Sequence, residues 1–253
     1  MLRKKLKSII KRALLGLMLA TTLSTGLFTV KTYAKEISQP YILSEASINY
    51  KEQESNSSII YYNQDNLSAK KILIYNTHTN EAYKDEKTVH DAAFNLAEKL
   101  YNKGFTVEVV NEQFDNYDYN NSYKHSKSFL ENMDLEAYDL VIDLHRDSAE
   151  GKVLTGTDIN SNSTSRICLV YSKSSGNYES QTAIGNVIED NMKQFGEGLV
   201  RNTVAYNKGR DNFNQELSDN MVLIEVGFEN DEFVEVQRSL TFLAASIDLA
   251  INK

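Results

Sequence analysis

Lys71-Ile72-Leu73-Ile74-Tyr75-Asn76-Thr77-His78-Thr79-Asn80-Glu81 begins as an apolar run of strand length. It breaks into a polar loop that carries an imidazole and, three residues on, a carboxylate. Two further runs end in the same manner. Leu140-Val141-Ile142-Asp143-Leu144 ends on His145, with Arg146, Asp147 and Ser148 behind it. Met221-Val222-Leu223-Ile224 ends on Glu225, two residues before Gly227. Continuous apolar runs of this length suit strands buried on both faces, as in parallel sheets. In open α/β sheets ligands bind beyond the carboxyl ends of the strands. Here those ends deliver two histidines and two glutamates.

Working outward, strand signals recur at 105–110 and 166–171. Helical spacing fills the gaps. Residues 88–103 set Val89, Ala92, Ala93, Leu96, Ala97 and Leu100 on one face, and Gly104 follows as a stop. Residues 180–199 and 231–251 also read as helices. The alternation predicts an α/β fold, a three-layer α/β/α sandwich with a mostly parallel central sheet. The polar runs Asp115 to Tyr123 and Gly151 to Ser165 read as loops, and no internal repeat is evident.

The first 34 residues carry seven Lys or Arg and no acid, six of the basic residues within 3–12. The apolar stretch Ala13 to Val30 follows, as in an export signal. Thr32-Tyr33-Ala34 has the small-residue form of a cleavage site, while 18 apolar residues also approach the length of a membrane span. Cleavage and anchoring both stay open; either places the remainder outside the cytoplasm. The expected organisation is a signal peptide or membrane anchor over 1–34, a polar tether over 35–68 with one strand at Ile59-Ile60-Tyr61-Tyr62, and a catalytic domain over 69–253.

The formal charge of −8 hides an asymmetry: beyond residue 34 there are 20 basic and 35 acidic residues, a balance of −15. Such a domain is a poor generic binder of nucleic acid or anionic membrane. The single cysteine, Cys168, excludes an intrachain disulfide, and its apolar surroundings mark it as a buried structural thiol.

Two histidines and a carboxylate form a ligand set of catalytic zinc, with a fourth position left for water. His78 and Glu81, spaced H-x-x-E, can reach one ion, and His145 completes three ligands. Glu225, arriving from another strand, is placed to act as general base. Asp143 and Asp147 flank His145, and either can orient its ring. Arg146 can stabilise an oxyanion or grip a substrate carboxylate. A single loop histidine is ordinarily just solvated. The joint arrival of this set at three strand ends, with Glu225 costly to bury after four apolar residues, points to a metal site. Glu86 and His90 are rivals for the second ligand, and His125 sits in polar surroundings where solvation explains it.

The opening segment Thr77-His78-Thr79-Asn80-Glu81-Ala82-Tyr83, the intact Asp143-Leu144-His145-Arg146-Asp147, and Asn214-Gln215-Glu216-Leu217 leading to Leu223-Ile224-Glu225-Val226-Gly227 occur in consistent order over roughly residues 70–252. Together they resemble the stage II sporulation protein P family of peptidoglycan hydrolases. That resemblance implies the fold of zinc N-acetylmuramoyl-L-alanine amidases and cleavage of the amide between muramic acid and L-alanine. It also implies an added capacity for cutting peptide cross-links. It implies zinc held by His78, Glu81 and His145 with Glu225 as base, although related amidases take their Glu near the following helix, which would select Glu86. It further implies peptidoglycan as substrate and a membrane-bound sporulation or wall-hydrolase partner. The chain leaves little room for the extra N-terminal domain of larger members. A zinc carboxypeptidase acting on free peptides, with Arg146 or Arg210 on the terminal carboxylate, is the alternative enzyme. A non-catalytic wall-binding module is the alternative outside enzymes.

Overall fold

A computed structural model describes residues 57–252 apart from 65, 67, 117, 149–155 and 197. The expected leader and residues 35–56 of the expected tether lie outside the described residues. Seven strands make one sheet: β1 (Ile59–Tyr62), β2 (Lys71–Tyr75), β3 (Thr106–Val110), β4 (Leu140–Asp147), β7 (Ile167–Ser172), β8 (Val204–Tyr206) and β9 (Met221–Phe228). Their order is β1-β3-β2-β4-β9-β7-β8, and β5 (Gly156–Ile159) pairs with β6 (Asn162–Ser165) in a separate hairpin. The ladder β3-β2-β4-β9 is parallel, as is β7 with β8, while β1 on β3 and β7 on β9 are antiparallel. The mostly parallel sheet expected from the buried apolar runs is therefore present.

Among the described residues four α-helices complete the layers: α1 (Val89–Tyr101), α2 (Ser122–Leu130), α3 (Tyr178–Lys193) and α4 (Phe233–Ile251). Thr88 and Asp91 close a capping box on α1, whose buried residues are the six named from the spacing. Both α1 and α3 pack on α4. Leu73, Tyr75, Val110 and Val141 leave the sheet toward Phe114, Leu130 and Leu135, so the α2 side forms its own apolar cluster. Their chain neighbours Ile72, Ile74 and Ile142 alternate to the other face and are fully buried as well.

Three segments differ from expectation. The run Asp115 to Tyr123 is not all loop: a 3-10 turn at Tyr119–Asn121 runs into α2. That helix buries Ser122, Tyr123, Ser126 and Leu130, one aliphatic residue among them, so its periodicity was hidden from a hydrophobic pattern. The polar run ending at Ser165 contains the β5–β6 hairpin, turned through Asn160 and Ser161 at φ 51° and 64°. Two positive-φ residues are what a two-residue hairpin loop requires. Finally, α3 stops at Lys193, and β8 adds an edge strand of three residues that carries no periodic signal of its own.

Candidate active site

The carboxyl ends of β2 and β4 are stitched level by two side chains. Asn76 Nδ2 donates to Leu144 O at 2.6 Å and to Val89 O at 3.3 Å. Thr77 donates its N–H (2.9 Å) and its hydroxyl (2.8 Å) to the fully buried Asp143 carboxylate. His78 and His145 consequently emerge side by side, ring centroids 5.4 Å apart. A turn closed by Glu81 N–H on His78 O brings the Glu81 carboxylate back over the strand ends. Its Oε2 lies 3.5 Å from His145 Nδ1 and accepts the Arg146 N–H at 3.1 Å. Asp115 buttresses the turn by accepting from Thr79 Oγ1 and Asn80 N–H. Glu86 instead sits exposed in a second turn at φ 68°. Of the two candidates, Glu81 is the carboxylate against His145.

On β9, Glu225 is the register partner of His145. The register then jumps to Asp147 opposite Phe228, a bulge made where Gly227 adopts φ 73°. A Cβ on Gly227 would stand 2.8 Å from Asp231 Oδ2 and 3.0 Å from Ser165 Oγ. Tyr83 Oη donates to Val226 O at 3.0 Å and ties the His78 loop to this bulge. Gly227→Ala is expected to cost about 1–3 kcal/mol of stability in urea titration, from left-handed strain plus the close approach.

Electrostatics divide the set. Burial and the nearby Asp147 push the Glu225 carboxyl up to about 7, against the pull of Arg201 and His145. Arg201 Nη2 lies 2.9 Å from Glu225 Oε2 and 2.5 Å from Asp147 Oδ2, with its guanidinium over the Phe228 ring. Burial opposes charge on His145, yet Asp143 and Glu81 outweigh it and hold the ring well above an ordinary histidine. Its Nε2 is 2.9 Å from Asp143 Oδ1, close enough to pair though outside hydrogen-bond alignment. Burial and the His145 charge together lower His78.

The remaining sequence candidates separate cleanly. Arg146 directs Nε to Ala82 O and Nη1 to Asp147 O. His90 spans Asn76 and Asn111 beside the site, and His125 is exposed. Cys168 is fully buried, its thiol pushed up to about 12 by desolvation first and Glu225 second. Three contributors were missed. Tyr119 stacks on His78 at 4.1 Å, and Tyr123 meets His78 edge-on while lying near-parallel to His145. Arg201 is the third; its neighbours Val200 and Asn202 form no motif, and only the fold brings it to Glu225.

Among the described residues, no three His, Cys, Asp or Glu side chains already stand close enough together to grip an ion. Two observations nevertheless suit this donor set to a cation. The His78 Nδ1 atom is buried with no hydrogen-bond partner, an arrangement that is costly unless something occupies its lone pair. His145 Nδ1 faces a carboxylate oxygen at 3.5 Å, and two acceptors so placed call for a proton or metal between them.

The family described as stage II sporulation protein P matches residues 20–248. Stage II sporulation protein P of Bacillus subtilis (strain 168) is 29% identical over 194 residues, covering 67% of this chain and 48% of that protein. The chain thus spans about half the length of this curated relative. Among solved structures, an N-acetylmuramoyl-L-alanine amidase from Clostridium difficile 630 is 19% identical at TM-score 0.47, over 73% of this chain and 95% of its own. The CwlD amidase from Clostridioides difficile, solved in complex with the GerS lipoprotein, is 15% identical at TM-score 0.46, over 71% of this chain and 96% of its own.

Proposed function

The chain belongs to the stage II sporulation protein P family, and from that premise we propose that it is a zinc-dependent peptidoglycan hydrolase of spore formation, exported by residues 1–34, that cleaves the N-acetylmuramoyl-L-alanine amide. One observation carries the reading: the His78 and His145 rings emerge 5.4 Å apart from adjacent strand ends, with Glu81 Oε2 3.5 Å from His145 Nδ1 and His78 Nδ1 buried without a hydrogen-bond partner. In this reading His78, Glu81 and His145 hold the ion. Bound there, zinc supplies Lewis acidity to a carbonyl and to water.

The other steps belong to the chain's own residues. Glu225 takes the proton of the attacking water as oxygen adds to the lactyl carbonyl carbon. It returns that proton to the L-alanine nitrogen as the C–N bond breaks. A carboxyl pushed up to about 7 is suited to exchange a proton in both directions near neutrality. Arg201 keeps the Glu225 carboxylate aimed and offsets the charge of Asp147. Arg146 holds Glu81 through its backbone N–H, while its guanidinium donates to Ala82 O and Asp147 O; in this reading its positive charge would favour a developing oxyanion. Asp143 fixes the His145 ring and the His78 loop together.

The test is digestion of purified murein by the full chain with product analysis by mass spectrometry, alongside metal analysis. Stem peptides with free L-alanine amino groups, about one zinc per chain and loss of release after chelation are the expected results. Released C-terminal amino acids would instead select the carboxypeptidase alternative. Undiminished digestion by metal-stripped protein would overturn the zinc assignment.

A further inference from the structure

Four large hydrophobic side chains are exposed among the described residues: Tyr61, Tyr119, Tyr206 and Val234. Two of them terminate one chain of aromatic contacts that passes through the candidate active site. Tyr119, 53% exposed, stacks on His78 with an interplanar angle of 18°. Tyr123 meets His78 edge-on at 5.5 Å and continues to Phe213 at 5.7 Å. Phe213 in turn meets Tyr206, 51% exposed, at 5.7 Å. The middle of this chain is at the ligand candidates and its two ends face solvent.

The position of Phe213 is bought with backbone strain. Asp211, Asn212, Phe213 and Asn214 all take left-handed φ values between 45° and 57°, and none is glycine. For L-residues this costs about 1–2 kcal/mol each, less for Asn and Asp. Several side chains hold the turn in place. Asn212 Oδ1 accepts from the Ser172 and Ser174 hydroxyls, and Asn214 Nδ2 donates to Ser126 Oγ. Gln215 completes the end of β7 like a strand residue, accepting from Ser172 N–H and donating to Val170 O. The Phe213 ring lies so near Gly209 that a Cβ there would approach to 2.2 Å. Strain of this kind persists where the surrounding structure over-determines it, commonly at binding sites.

We propose that Tyr119 and Tyr206 form an aromatic platform for the sugar rings of the murein glycan strand, Tyr119 at the sugar that bears the scissile amide and Tyr206 further along the strand. The proposal rests on the hydrolase reading. Pyranose C–H groups pack on the negative face of an aromatic ring, a contact that needs no charge. Neutral recognition is what a domain with a balance of −15 can use without repelling its ligand. Tyr119, on His78, serves the sugar nearest the scissile amide. Tyr206, three contacts out from His78 through Tyr123 and Phe213, serves a sugar along the strand.

The experiment measures binding of neutral N-acetylglucosamine oligosaccharides, as a glycan probe, to the full chain carrying Glu225→Gln, alone and with Tyr206→Ala, Tyr206→Phe or Tyr119→Ala added, followed by KM on intact murein for the same tyrosine variants with Glu225 restored. Each alanine variant is expected to weaken glycan binding roughly three- to tenfold and to raise KM in proportion, as a lost stacking contact does. Tyr206→Phe keeps the ring and is expected to stay within twofold of its parent. Tyr206→Ala with unchanged binding and KM would overturn the platform, as would equal losses in the Phe and Ala variants. If the parent binds glycan but the chain with Glu225 releases no peptide, the hydrolase reading fails while the platform stands. If peptide is released and Tyr206→Ala is silent, only the platform fails.

Discussion

Glu225→Gln is expected to lower peptide release from murein by about 10²–10⁴-fold, the usual contribution of a general base, while zinc content stays that of the parent chain. The argument is one of near-isosteric exchange. Gln keeps the shape of the side chain and an oxygen that accepts from Arg201 Nη2, now 2.9 Å away, but it cannot carry the proton from water to the amine. The fold should tolerate the change. The Glu225 carboxyl is pushed up to about 7 by burial and by Asp147, so the folded state disfavours its ionised form relative to water. A neutral amide removes that penalty. The Arg201 hydrogen bond survives without its ionic part, which offsets the gain, so the melting temperature should change little. Full activity in this variant would remove Glu225 from the chemistry. Loss of zinc together with activity would move it into the ligand set.

The parts of this site that were legible in the sequence are those where a strand end determines what comes next. Glu225 follows an uninterrupted apolar run and His145 a run broken only by Asp143, and a parallel ladder sets such ends side by side; the register pairs them directly. Asp143 was legible only as one of two acids flanking His145; its ties to Thr77 and its place beside the His145 ring, where Asp147 instead pairs with Arg201, come from the fold. The H-x-x-E spacing favours Glu81 and leaves Glu86 as its rival; what sets the two apart in the fold is a pair of turns, one folding Glu81 back over the strand ends and one turning Glu86 out to solvent at positive φ. Arg201 was out of reach for a different reason. It lies 24 residues from Glu225, in a segment with no strand or helix signal, and its two ion pairs exist only once β7 sits beside β9. Tyr123 was concealed by its helix: α2 buries hydroxyls and a phenol where a hydrophobic pattern looks for aliphatics. The reversed direction of β7 also has a plain cause. The described chain between β4 and β7 holds only the β5–β6 hairpin and no helix to carry it back across the sheet, so it enters β7 from the end at which it left β4 and runs antiparallel beside β9.

Asp143→Asn is the second substitution expected to have a large effect, because this carboxylate accepts two hydrogen bonds from Thr77 and lies against the His145 ring. The Thr77 N–H and the Thr77 hydroxyl lie 2.9 and 2.8 Å from its oxygens, and His145 Nε2 is 2.9 Å away. At 0% exposure there is no water to take up a mismatch. An amide in this place turns an NH2 toward at least one of those donors. If it faces Thr77, the His78 loop loses its tie to β4; if it faces His145, the ring loses the negative charge that favours its orientation. Leaving one buried donor unsatisfied costs about 1–3 kcal/mol, which urea titration reads. Weakened orientation of a ligand imidazole costs roughly 10–100-fold in metal affinity, which competition with a chelator reads. Both losses are expected together, and saturating zinc should restore most of the activity, since neither Glu225 nor Arg201 touches Asp143 through a hydrogen bond. Adding Thr77→Val separates the two effects. It removes the hydroxyl donor, so the stability losses of the two variants should fall short of additive by about 0.5–3 kcal/mol, as for residues in direct contact. Zinc affinity equal to that of the parent chain in Asp143→Asn would show that Asp143 serves the strand ends alone, and would remove His145 orientation from its role.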